Sequence, residues 1–131
     1  MIVVDATVLA TALTDDFDDG ERARGRLRAD PDLHEPYLAD LEVLSVLRGL
    51  VLGGKLATSR MKAAARDLGQ VQMKRYPHHP FAERILELRD NLTVYDAAYV
   101  ALAEALDCVL VTADSAQADA PGVLCQVDVI K

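Results

Sequence analysis

The stretch Ile2-Val3-Val4-Asp5-Ala6-Thr7 runs three β-branched apolar residues into a carboxylate. Too short for a buried helix and apolar on both faces, it reads as a strand of a parallel sheet covered by helices. Val109-Leu110-Val111-Thr112-Ala113-Asp114 repeats the pattern near the other end of the chain. Helical periods fill most of the space between. Helices are expected over 7–13, 21–29, 37–52, 58–68 and 81–88, with another from Thr93 to about Leu106 and a short one from Asp114 or Ser115 to about Ala120. Further strands are expected over 33–35, 71–76 and 123–127, and acidic or Pro-rich turns at 15–20, 30–32 and 76–80. Strands alternating with helices give an α/β fold with a mainly parallel sheet. Its strand carboxyl ends share one edge, where open sheets of this class bind ligands. The 37–52 segment is apolar nearly all round, which predicts burial; that apolar surface serves either the core or a dimer.

A chain of 131 residues, half of them apolar, suits one domain with a substantial core. No run approaches the ~20 apolar residues of a membrane helix. Asp5 breaks the apolar start and no basic segment precedes it, so a signal peptide is not expected. Cys108 and Cys125 read as free thiols of a reducing, cytoplasmic protein. The net charge of −7 argues against general nucleic-acid affinity, but it is unevenly spread. Residues 1–47 and 90–131 are acidic, whereas 48–89 carry nine basic and three acidic side chains. An acidic centre beside a basic segment suits a phosphodiester held near a metal; a solvated helix face explains the same charges more simply.

Four acids stand in or beside apolar stretches: Asp5, Glu42, Asp96 and Asp114. Taken singly, each has an ordinary structural use. Asp5 can close an Asx-turn and Asp114 can cap a helix. Asp96 completes the capping-box spacing begun by Thr93. Glu42 shares a helix face with Arg48 and can pair with it. Gathered in one place, the four would repel: two unit charges about 4 Å apart do so by about 4 kcal/mol at an effective dielectric of 20. A hard cation turns that repulsion into a binding site. His78 and His79 read as turn residues, and Tyr95 and Tyr99 as packing residues beside Asp96.

These segments resemble a family. The 2–7 opening is similar to the first strand of PIN-domain nucleases, and Leu41-Glu42-Val43-Leu44-Ser45-Val46-Leu47-Arg48 to their acidic helix. Leu92-Thr93-Val94-Tyr95-Asp96-Ala97-Ala98-Tyr99-Val100-Ala101-Leu102-Ala103 is similar to the segment with their third acid, and 111–114 to that with the fourth. Order, separations and length resemble those of the VapC toxins of toxin–antitoxin pairs. The resemblance implies a single PIN domain over 1–131, a three-layer α/β/α fold with about five strands. It also implies a Mg²⁺- or Mn²⁺-dependent endoribonuclease, usually a homodimer, blocked by a VapB antitoxin. Asp5, Glu42, Asp96 and Asp114 match the acidic positions, and Thr7 and Thr112 the hydroxyl ones. Asp5 and Asp96 are expected as direct ligands, Glu42 and Asp114 as ligands directly or through water, and Arg48 as a phosphate contact. The chain departs from the pattern after Asp114: relatives often have a basic residue and then a leucine where this chain has Ala116 and Gln117. Asp119 lies near enough in sequence to be a further candidate.

Two other functions fit the fold class. A nucleophile-type phosphatase would want a second aspartate at position 7, which is Thr, and a receiver domain would want a lysine after a late strand. A catalytically inactive PIN-fold interaction module would keep the architecture without needing all four acids.

Overall fold

The computed structural model describes residues 1–130. Strand β1 (Ile2–Val4) is followed by α1 (Ala6–Thr14), α2 (Asp18–Ala29), β2 (Leu33–Pro36), α3 (Leu38–Leu52) and α4 (Thr58–Gln70). Then come β3 (Met73–Tyr76), a single 3-10 turn at His79–Phe81, α5 (Ala82–Glu87) and α6 (Val94–Leu106). The chain closes with β4 (Val109–Thr112), α7 (Ser115–Asp119) and β5 (Val127–Val129). The five strands pair in parallel in the order β3-β2-β1-β4-β5. Helices α1 to α4 pack on one another at one face, and α6, backed by α5, lies against β1, β2 and β4 at the other. This is the expected three-layer α/β/α architecture.

The centre of the sheet follows from residue type. Ile2, Val3 and Val4 are at most 1% exposed, and β1 lies between β2 and β4, with Val4 opposite Val111. Helix α6 packs against β1, β2 and β4, and every residue from Ala97 to Ala103 is buried. Its start is fixed by Thr93, whose Oγ1 accepts the Asp96 N–H at 3.1 Å. It stops at Asp107, which adopts the left-handed conformation (φ 51°) and sends the chain straight into β4. From β1 the chain steps outward to β2 and β3, then returns to the other side of β1 with β4. The reversal point is between β1 and β4, where Asp5 and Asp114 stand.

Several expectations need correction. Helix α3 buries only Ala39, Val43 and Leu47, a single stripe toward α1 and α4. Leu41, Leu44 and Leu52 are 70%, 42% and 69% exposed. The last strand is Val127–Val129 instead of 123–127. Gly122 turns with φ +89°, Leu124 is exposed, and its N–H is taken by the Glu104 carboxylate at 2.8 Å, so these residues form a loop. Helix α2 begins at Asp18, within the expected turn, because Asp18, Asp19 and Glu21 favour a helix amino end. Helix α4 runs to Gln70 and Val71 caps it, which shortens β3. No helix among the described residues is long and apolar enough to cross a membrane. Cys108 and Cys125 are free thiols, partly buried.

Candidate active site

At the reversal point lies an open cleft of about 270 Å³ lined by Asp5, Ala6, Thr7, Glu42, Ser45, Val46, Asp96 and Asp114. All four acids singled out from the sequence therefore reach one place. Asp5 leaves the end of β1, and Asp114 follows β4 beside it. Asp96 enters from the first turn of α6, whose amino end lies at the same sheet edge. Glu42 leans in from α3. Larger hollows lie elsewhere and are lined by none of these acids.

Neutral donors fix the carboxylates. Asp5 Oδ1 accepts the Thr7 N–H at 3.0 Å, and its Oδ2 accepts the Thr112 hydroxyl at 2.8 Å. The Thr112 oxygen in turn accepts the Asp114 N–H at 3.0 Å, so one buried hydroxyl sets both strand-end acids. Asp114 Oδ1 accepts the Ala116 N–H at 2.9 Å and starts α7. The Asx-turn and the cap anticipated for Asp5 and Asp114 thus exist, and both residues still line the cleft. Thr7 supplies its backbone N–H and lines the cleft.

Four side chains act otherwise than expected. Glu42 does not pair with Arg48; its Oε1 accepts the Tyr99 hydroxyl at 2.6 Å. Arg48 is exposed, outside the cleft lining and in no ion pair among the described residues. Tyr99, 1% exposed, is more than packing, because its buried hydroxyl aims the acid of α3. Tyr95 is 64% exposed and packs little. His78 and His79 lie at the 3-10 turn, as expected, and Asp119 is exposed and away from the lining.

Sequence reasoning passed over Gln117 as a site residue. It is 1% exposed, and its Nε2 lies 3.2 Å from Asp96 Oδ1 and 3.4 Å from Asp5 Oδ2. Two acids 91 positions apart in sequence therefore meet at one nitrogen. Glu35 was also missed. It is fully buried under the strand ends, with Oε1 accepting the Val4 N–H at 2.8 Å and Oε2 unpartnered. The only hint in the sequence is an acid within the short strand Leu33–Pro36.

The electrostatics are those of crowded acid. Burial raises Glu42 above the usual carboxylate range, and the charges of Asp5 and Asp96 add to it despite the Tyr99 hydrogen bond. Burial likewise raises Asp96, helped by the charges of Asp5 and Asp114. None of the four acids has a Lys, Arg or His partner among the described residues, and no basic side chain lines the cleft. The donor set is all oxygen, which suits a hard divalent cation. Among the described residues no three His, Cys, Asp or Glu side chains are gathered tightly enough to hold an ion alone. A magnesium-like ion keeps several waters and needs only one or two direct carboxylates.

Residues 2–123 match the family model of the PIN domain. The chain belongs to the PIN-domain family. It is 42% identical over 130 residues to ribonuclease VapC9 of Mycobacterium tuberculosis, covering 99% of this chain and 98% of that one. It is 39% identical to ribonuclease VapC1 of the same organism, covering 98% and 97%. Its fold is similar to that of a solved toxin–antitoxin complex from Klebsiella pneumoniae, with a TM-score of 0.63 at 21% identity over 95% of this chain and 96% of that one. Within the PIN-domain family this chain stands with the VapC proteins.

Proposed function

We propose that this PIN domain is a divalent-cation-dependent endoribonuclease of the VapC type: a cytoplasmic toxin that hydrolyses RNA phosphodiesters and is blocked by a VapB-type antitoxin. The observation that carries the reading is the convergence of Asp5, Glu42, Asp96 and Asp114 on one open cleft without a basic partner. The names of its relatives support the ribonuclease part, and its likeness to a toxin–antitoxin complex supports an antitoxin.

Asp5 and Asp96 would hold Mg²⁺ or Mn²⁺, with Glu42 and Asp114 bound directly or through water. The ion supplies charge neutralisation at the phosphate and lowers the pKa of attacking water. Thr112 and the Thr7 N–H hold Asp5 so that its carboxylate does not turn away. Tyr99 occupies Glu42 Oε1 and leaves Oε2 to take a proton from the attacking water. Asp114, exposed at the rim, faces incoming substrate. The reading includes a homodimer: Leu41, Leu44 and Leu52 give α3 an apolar surface in water, of the kind a protein partner covers.

The test is incubation of purified protein with mixed RNA, with and without Mn²⁺, beside Asp5→Ala. Cleavage should need the ion and fall by about 10²-fold or more in the variant, the range for loss of a group that acts in the chemical step. Failure to cut any RNA under any metal condition would favour an interaction module instead.

A further inference from the structure

We propose that Gln117 is a further member of the cation site, tying Asp5 to Asp96 in the ion-free protein and giving its carbonyl oxygen to the ion, or to a water on the ion, when the site is loaded. This rests on the ribonuclease reading for the presence of an ion and goes beyond it in assigning a residue. Gln117 is 1% exposed on α7, three positions after Asp114. A primary amide is costly to bury, and a leucine would fill similar space without polar atoms. Its polar atoms have specific surroundings: Nε2 faces Asp96 Oδ1 at 3.2 Å and Asp5 Oδ2 at 3.4 Å, while Oε1 is buried with no hydrogen-bond partner.

That half-satisfied state fits a site waiting for positive charge. Against two carboxylates the amide must present its N–H groups, since its oxygen would be repelled. The amide nitrogen is thereby held against one oxygen each of Asp5 and Asp96, the two acids expected to hold the cation. Once those oxygens hold a cation, the donors are no longer needed there and an acceptor is. Amide nitrogen and oxygen are alike in shape, so a half-turn about the last side-chain bond exchanges them without disturbing the packing. The present arrangement satisfies the nitrogen alone; a loaded one would satisfy the oxygen.

The experiment compares wild type, Gln117→Leu and Gln117→Glu by thermal melting across a Mg²⁺ and Mn²⁺ titration. The side-chain NH₂ signals of Gln117, assigned by their absence in Gln117→Glu, are followed in ¹⁵N spectra. Gln117→Leu should shift the ion midpoint about tenfold upward, the scale for losing a partner of a metal site. Gln117→Glu should melt lower without ion, because a third negative charge joins the pair, and should gain more from the ion than wild type. In wild type the NH₂ signals should move on adding Mg²⁺. A folded Gln117→Leu with an unchanged midpoint would mean that Gln117 only fills space. If that variant does not fold, an ion gain in Gln117→Glu no larger than wild type, with static NH₂ signals, overturns the assignment. A wild type that melts identically with and without ion removes the cation reading itself, and the role of Gln117 with it.

Discussion

Two groups of acids in this protein differ in their partners. Away from the cleft, several carboxylates meet guanidinium groups. Asp40 accepts from Arg75 at 2.7 and 3.1 Å, and Glu104 from Arg84 at 2.7 and 3.0 Å. At the cleft the partners are a hydroxyl, an amide or a backbone N–H: Thr112, Tyr99, Gln117, Thr7 and Ala116. Both kinds of partner fix geometry. Only the first neutralises charge. The basic block of residues 48–89 is partly used in the first way, through Arg60, Arg75 and Arg84, and sends no side chain into the cleft. What distinguishes the site is thus oriented charge left uncompensated.

The largest effect should come from breaking the paired set. Arg84 joins α5 to Glu104 on α6 and to the Gly122 carbonyl, and Glu104 is only 13% exposed at its side chain. Arg84→Ala leaves that carboxylate without its cation and should cost about 3 kcal/mol in a denaturant melt. The sharpest contrast comes from one chemical change made in each set. Without ion, Asp96→Asn should stabilise the protein by about 1 kcal/mol by relieving repulsion, and should abolish most of the melting-temperature gain from Mg²⁺ or Mn²⁺. Asp40→Asn should destabilise by about 1 kcal/mol and leave the ion response intact. Equal signs for the two would erase the distinction.

A smaller effect is the slope of stability with pH. Burial raises Glu35 well above the usual range, and burial with neighbouring acids raises Glu42 and Asp96. Such groups bind more protons folded than unfolded, so ion-free stability should fall as pH rises from their ordinary range, about 4 to 4.5, through the raised values. Glu104 is pushed up by burial, but Arg84 and the Leu124 N–H outweigh that and hold it low. Its stabilisation is present above the ordinary range and is lost as pH falls through the lowered value. Melts from pH 4 to 9 without ion should show the cleft-side slope flatten in Glu35→Gln and persist in Arg84→Ala.

Much was legible in the chain itself. The β-branched run at Ile2–Val4 and its counterpart at Val109–Thr112 announce central parallel strands, since so apolar a segment must be covered on both faces. The acids that end them mark the ligand-binding edge, and the Thr93 cap locates the start of α6 because capping is local chemistry. Tertiary structure decided which apolar faces are covered and which partner each polar group finds. Helix α3 reads as buried, yet its neighbours cover a single stripe. Glu42 reads in one dimension as a partner for Arg48 and instead takes Tyr99, 57 residues away. Gln117 reads as a mere departure from a pattern and becomes the meeting point of Asp5 and Asp96. Strand and cap propensities depend on a few adjacent residues, so they survive in one dimension. Burial and hydrogen-bond pairing depend on which distant segments the sheet order brings together, and that is settled only when the chain has folded.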